Sequence, residues 1–196
     1  MDNKPNIHNV ILIARAAGRI LMDYRGKVTA DYKSDDSPVT QADKDASTCI
    51  IQGLSSLTPD IPVVSEEQDM AVNRAIVSHH DTYWVTDPLD GTKSYIDGFD
   101  GFGVHIALIH KGVPVMGVAF FPAQENERGK LYYTGNNGKA YCKTGQTPAK
   151  LLTLKSPRTP LRASMGWKDK PYRTDVDIVR AVGGARLCVT AEGQAD

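Results

Sequence analysis

The sequence predicts an α+β fold of stacked layers built around a largely antiparallel sheet. Three observations carry this. Residues 7–57 hold two stretches with helical spacing of apolar residues. From residue 102 the pattern changes to the two-residue alternation of strands, punctuated by tight turns. From about residue 151 helix and strand signals mix again. Helices followed by a strand meander lay helices against one face of a sheet.

The elements follow in order. Ile7, Val10, Ile11, Ala14, Ala17 and Leu21 make an amphipathic first helix that ends near Arg25-Gly26. Residues 27–33 have mixed character with strand potential, and 34–38 read as a polar loop. Thr40, with Asp43 three residues on, is a capping-box variant that opens a second helix running to about Leu57. This places Asp43 in the first turn, aimed at whatever lies beside the helix start. Residues 61–65 form a short buried strand ending at Glu66-Glu67, and 68–80 are helical or irregular. Residues 83–86 are a strand that stops at Asp87. Strands are expected at 102–109 and 115–121 around a turn at 111–114, and a hairpin joins 130–134 to 139–142 about Asn136-Asn137. Short strands are expected at 151–154 and 162–165, a helix at 175–182, and a strand or helix start at 185–191. Residues 1–150 are read as the helices plus sheet, and 151–196 as the start of a second α/β subdomain, where Pro and Arg content rises.

Composition narrows the function classes. Of 196 residues 41% are apolar, enough for a real core, and 23 basic residues balance 23 acidic ones. No basic stripe marks a nucleic-acid polymer as partner. No apolar run reaches the roughly 18 residues of a membrane span. Residues 1–9 are polar, without a secretory apolar region. Three scattered cysteines fit reduced thiols and a cytoplasmic location; attachment to the periphery of an inner membrane, and a homodimer, stay open.

The chemistry concentrates in Trp84-Val85-Thr86-Asp87-Pro88-Leu89-Asp90-Gly91-Thr92. Two carboxylates stand three residues apart at a strand end, separated by Pro88, which fixes its own φ. Gly91 permits a tight turn. Hard cations such as Mg²⁺ bind one or two carboxylates plus waters and phosphate oxygens. Asp87 could bridge two ions, with Asp90 on the second and the Leu89 carbonyl on the first. Glu66-Glu67 ends another strand, and four gathered carboxylates repel unless cations neutralise them. The plain alternative is turn-forming acids and a solvated Glu-Glu loop. Gly91 and Thr92 open a short helix or turn whose N–H groups can meet a phosphate. Asp-x-Asp-Gly-Thr phosphatases carry their acids two apart, so a covalent aspartyl mechanism is disfavoured. The segment from Gly135 to Lys139 lacks P-loop spacing, and Leu108 falls where a calcium loop starting at Asp97 needs its Glu. His105 alternates with core residues and reads as exposed or core-satisfied rather than as a ligand.

These residues resemble the Mg²⁺-dependent, lithium-sensitive phosphatase superfamily that includes inositol monophosphatase. Within it the sequence is most similar to the bacterial 3'(2'),5'-bisphosphate nucleotidases. The resemblance rests on Ser37-Pro38-Val39-Thr40-x-x-Asp43, Val64-Ser65-Glu66-Glu67, the run from Asp87 to Lys93, and Val104-x-Ile106-Ala107-Leu108-Ile109-x-x-Gly112-x-Pro114. It continues through Cys188-Val189-x-Ala191-Glu192-Gly193-x-Ala195-Asp196. It implies the layered α-β-α-β sugar-phosphatase fold and a cytoplasmic enzyme that hydrolyses a small phosphate ester, adenosine 3',5'-bisphosphate, to AMP by metal-activated water. It further implies Glu66 as a direct metal ligand with Glu67 nearby, Asp43 and Thr92 as the pair activating water, and Lys93 and Arg186 beside substrate. Chemically, a carboxylate that orients a threonine hydroxyl can relay a water proton. Arg186 suits a second phosphate. The rival readings are an inositol or sugar monophosphatase, and a catalytically weak metal- and phosphate-binding domain.

Two departures stand out. Val182-Gly183-Gly184-Ala185-Arg186 replaces the family's Gly-Ser-Ser-Leu-Lys, which removes hydroxyls next to substrate. The family also continues to a Trp-Asp-x-Ala-Ala string whose Asp completes the second metal site, whereas the sequence here ends at Asp196 and the second subdomain is expected to be incomplete. Residues 1–196 alone are therefore expected to hold about one Mg²⁺ well, turn over slowly and self-associate.

Overall fold

A computed structural model of the protein describes residues 4–27, 31–32, 38–153, 162–165 and 177–180. Helix α1 (Ile7–Tyr24) starts at Asn6, whose side chain accepts the His8 N–H at 2.9 Å. This cap satisfies one of the orphan donors of the first turn. Strands β1 (Asp31–Tyr32) and β2 (Pro38–Val39) form a small antiparallel pair ahead of α2 (Gln41–Leu57). Then come β3 (Val63–Ser65), α3 (Met70–His79), β4 (Thr82–Asp90), α4 (Thr92–Ile96), β5 (Gly103–His110), β6 (Val113–Phe121), β7 (Lys130–Thr134), β8 (Ala140–Thr144) and β9 (Lys150–Leu151). Strands β3 to β9 make one sheet in chain order. Within this sheet the β3–β4 pair is parallel, because α3 crosses between them, and the pairs from β4 to β9 are antiparallel.

Helices α1 and α2 pack on each other and cover one face of this sheet. The even-numbered residues of β5, Val104, Ile106 and Leu108, meet Trp84, Val118 and Leu131 from neighbouring strands, all buried. Val10, Ala14 and Leu21 of α1 and Ala46, Ile50 and Leu54 of α2 complete the core. Close approach of α1 needs a small residue: a Cβ at Gly18 would lie 2.6 Å from the Phe120 ring. Burying side chains of this size contributes about 1.5–3 kcal/mol each. Trp84 keeps its polar edge satisfied by donating to Thr58 Oγ1 at 2.9 Å.

Several expectations need correction. The strand through residue 86 does not stop at Asp87; it runs to Asp90, with a register shift between Asp87 and Asp90. The turn after β5 is narrower than residues 111–114: Lys111 and Gly112 both have positive φ and make a two-residue hairpin turn, so β6 begins at Val113. The helix expected at 175–182 is instead a strand where it is described. β11 (Asp177–Arg180) pairs in parallel with β10 (Arg162–Met165), and its Ile178-Val179 centre suits extended backbone better than helix. The strand expected at 151–154 is β9, at the edge of the large sheet, so that sheet extends to Leu151. The element expected at 185–191 lies outside the described residues.

The ordering of α4 depends on α1. The Tyr95 hydroxyl donates to the Leu21 carbonyl at 2.7 Å, satisfying one of the orphan acceptors at the C-terminal end of α1. Burial first, and then the charge of Asp43, pushes this phenol up to about 12, which keeps it a donor. Tyr95→Phe should cost about 1–3 kcal/mol, because it leaves a buried acceptor unpaired. Urea unfolding measures this, and unchanged stability would show the bond to be idle.

Candidate active site

The site begins with one extra residue. In the β4–β5 ladder Asp87 pairs with His105, and Asp90 pairs with Gly103. Pro88 and Leu89 of β4 therefore oppose the single Val104 of β5, so β4 carries a bulge. Strand side chains alternate faces, and three regular steps would send Asp87 and Asp90 to opposite sides. The bulge cancels this and puts both on the face of His105, away from α1 and α2. Leu89 turns into the core instead, 2% exposed. The Asp87 carboxylate is fixed locally by accepting the Leu89 N–H at 3.1 Å.

Glu66 follows the last residue of β3, next to β4, and its N–H bonds the Thr86 carbonyl at 3.3 Å. Its carboxylate, although exposed, acts directly on Asp87. Burial first, then the charge of Glu66, then that of Asp90 push Asp87 up to about 8. Three acids in such a place favour a bound cation on electrostatic grounds alone. The register of Glu66 is set by Ser65. Asn73 of α3 accepts the Ser65 N–H at 3.3 Å and donates to its carbonyl at 2.8 Å. The Ser65 hydroxyl meets that of Ser47 on α2 at 3.0 Å. Asn73 was not read from the sequence as part of the site; an Asn eight residues beyond a strand end gives no local signal.

A second group lies beside the first. The expected Thr40–Asp43 capping box is present. Asp43 Oδ2 accepts from the Thr40 N–H at 2.7 Å and from its hydroxyl at 2.6 Å. Its other oxygen, Oδ1, faces the Thr92 hydroxyl at 3.3 Å, and that hydroxyl also has the Leu89 carbonyl at 3.1 Å. Asp43 is 2% exposed. Burial raises its carboxyl above the usual range against the pull of the Thr40 donors, and Glu67 raises it further. Glu67 thus stands by Asp43 while Glu66 stands by Asp87. Thr92 owes its place to Gly91, whose φ of 86° turns the chain into α4; a side chain there would be strained. Lys93 is exposed on the first turn of α4. Arg186 lies outside the described residues.

His105 corrects the sequence reading. One ligand atom from each of Asp87, Asp90 and His105 lies within 4.8 Å of the others. Burial lowers the imidazole's affinity for a proton, and Asp90 opposes that. Alternation did give its strand, but not which residue of the next strand it faced. A cleft of about 700 Å³ runs along this face of the sheet, lined among others by Val64, Glu66, Val85, Asp87, His105 and Tyr132. Asp87, Asp90 and His105 offer a donor cluster that could hold a cation, with Glu66 acting on Asp87 from the end of β3.

Comparison with known proteins gives the family. Residues 3–196 match the inositol monophosphatase family over nearly the whole chain. The chain belongs to that family. It is 38% identical over 199 aligned positions to the 3'(2'),5'-bisphosphate nucleotidase CysQ of Salmonella typhimurium, covering 96% of this chain and 78% of the relative. It is 32% identical to a histidinol-phosphatase of Chlorobaculum parvum, covering 92% of this chain and 67% of that protein. Among solved structures it resembles CysQ of Bacteroides thetaiotaomicron, a bacterial member of the same family, with a TM-score of 0.75 at 28% identity over 96% of this chain and 77% of that one.

Two outcomes test the site. Asn73→Ala should remove both bonds to Ser65, lower stability by about 1–3 kcal/mol and weaken divalent-cation binding; calorimetric titration that shows unchanged affinity would separate Asn73 from the site. The second concerns pH. Asp87 is raised in the fold from its ordinary value to about 8. The native state therefore binds more protons than the unfolded chain between those two values, and stability falls as pH rises through that window. Without divalent ions the Tm should drop from pH 5 to pH 8. Asp87→Asn, or saturating Mg²⁺, should flatten the slope, as differential scanning calorimetry can check.

Proposed function

We propose that this protein is a metal-dependent phosphomonoesterase whose substrate is a nucleotide bisphosphate, adenosine 3',5'-bisphosphate, cleaved to AMP and phosphate with Mg²⁺. The observation that carries the reading is the convergence of Glu66, Asp87 and Asp90 beside the contact between buried Asp43 and Thr92. The nucleotidase names of its relatives support the substrate class. When bound, the divalent cation supplies positive charge to the phosphoryl oxygens and acidifies a water. The chain's own groups do the rest. Asp43, locked by Thr40, holds the Thr92 hydroxyl, whose oxygen takes a proton from the attacking water as its own proton moves to Asp43. The burial that raises Asp43 makes it a stronger acceptor in that step. Glu67 adds negative charge beside it. The N–H groups of Gly91 and Thr92 and the Lys93 ammonium are assigned to substrate phosphate, and Arg186 to the second phosphate. Asp87 accepts the Leu89 N–H and would hold the cation, and the acids stand three apart, so no phosphoenzyme is required.

No helix among the described residues is long and apolar enough to cross a membrane. The scattered cysteines, which fit reduced thiols, are our ground for a cytoplasmic enzyme. The decisive assay compares adenosine 3',5'-bisphosphate with inositol 1-phosphate and histidinol phosphate. The bisphosphate should be preferred, Mg²⁺ should be required, and Li⁺ should inhibit. Full activity in EDTA would sink the reading, and a preference for either monophosphate would move it to another branch of the family. Thr92→Ala should lower kcat by roughly 10²- to 10⁴-fold, the range of general acid–base contributions, with cation affinity kept. Near-normal kcat in that variant would remove Thr92 from the reaction.

A further inference from the structure

The family's cation site is expected to be an oxygen site, yet in this chain an imidazole faces it. His105 is the cross-strand partner of Asp87, and such pairs hold their Cβ atoms roughly 4.5–5.5 Å apart on one face of the sheet. Its Nε2 atom is buried and has no hydrogen-bond partner. A buried ring nitrogen left unpaired is costly, so it calls for an explanation. That nitrogen bonds to neither carboxylate. Instead the three donor atoms stand within 4.8 Å of one another. Ligands about 2.1 Å from one centre lie at most about 4.2 Å apart, so an ion would draw these donors inward by a few tenths of an ångström each.

The ring is also held in place. The Phe121 ring stands edge-on to it, with centroids 5.7 Å apart and planes at 71°. Phe121 can lie there because residue 103 has no side chain: a Cβ on Gly103 would come within 2.8 Å of the Phe121 ring. Gly103 is the partner of Asp90. Thus the residue opposite one carboxylate leaves room for the ring that braces the imidazole opposite the other.

We propose that His105 is a ligand of the ion held by Asp87 and Asp90, and that it shifts this position from a hard Mg²⁺ site towards borderline first-row ions such as Mn²⁺, Co²⁺ and Zn²⁺. Imidazole nitrogen binds such ions well, whereas Mg²⁺ prefers oxygen donors in a strict octahedron. The proposal rests on the cation site assigned above but not on the substrate. It predicts a protein that takes Mn²⁺ in preference to Mg²⁺ at this one position.

The test uses Mn²⁺ itself as probe, on the whole chain. Pulsed electron paramagnetic resonance of the Mn²⁺-loaded protein should show coupling to a ligand nitrogen. The coupling should vanish in His105→Asn and persist in His110→Asn. Calorimetric titration should show Mn²⁺ affinity falling about tenfold or more in His105→Asn, with Mg²⁺ affinity changed by less than about threefold. Should the His105 variant fail to fold, Asp90→Asn serves in its place: it should abolish the nitrogen coupling by losing the ion. Bound Mn²⁺ without nitrogen coupling in the unmodified protein overturns the proposal, as does an unchanged Mn²⁺-to-Mg²⁺ ratio in His105→Asn. The two readings fail separately. Mg²⁺-dependent phosphate release without nitrogen coupling retires His105 alone, whereas nitrogen coupling in a protein that releases no phosphate retires the phosphatase reading alone.

Discussion

One surplus residue in β4 governs the chemistry of this protein. Without the bulge between Asp87 and Asp90, alternation would bury one carboxylate under α1 and α2 and leave the other alone. With it, both emerge on the open face, Leu89 goes inward, and the carbonyl of Leu89 comes within reach of Thr92. The same irregularity delivers the chain to Gly91, whose left-handed backbone starts α4 and brings Thr92 to Asp43. The Asp87–Asp90 cluster and the Asp43–Thr92 contact are therefore both placed by a single local departure from regular strand geometry.

That arrangement is held under electrostatic load. Asp87 carries burial and two acidic neighbours, and Asp43 carries burial and Glu67. Each carboxylate also has fixed donors: the Leu89 N–H for Asp87, the Thr40 backbone and hydroxyl for Asp43. Those donors belong to the backbone or to a helix cap, so they cannot swing away to relieve the repulsion. The geometry is preorganised for a positive charge, and stability is given up locally to keep it so.

Much of this was legible in the residues. The helical spacing of α1 and α2, the Thr40–Asp43 cap, the strand meander and the run from Asp87 to Thr92 are local patterns, and each describes the structure closely. What escaped was non-local. Pro88 and the three-residue spacing read as the end of a strand, because a bulge is defined only by the partner strand. His105 was set aside because alternation cannot say which acid lies across the ladder. The segment around Ile178 is too short for apolar spacing to separate helix from strand, and its pairing partner lies in β10. Asn73 carries no signature until Ser65 is seen beside it.

The large sheet begins in β3, three residues long, and ends in β9, two residues long. Along the outer side of β3 the Asn73 side chain already occupies both backbone groups of Ser65. An amide side chain there takes the place that a foreign strand would need. A sheet that terminates in such short and partly occupied strands offers little template for edge-to-edge growth. The contact that steadies the β3 end beside Glu66 therefore also works against aggregation, so one asparagine both fixes the edge of the acidic cluster and blocks the edge of the sheet.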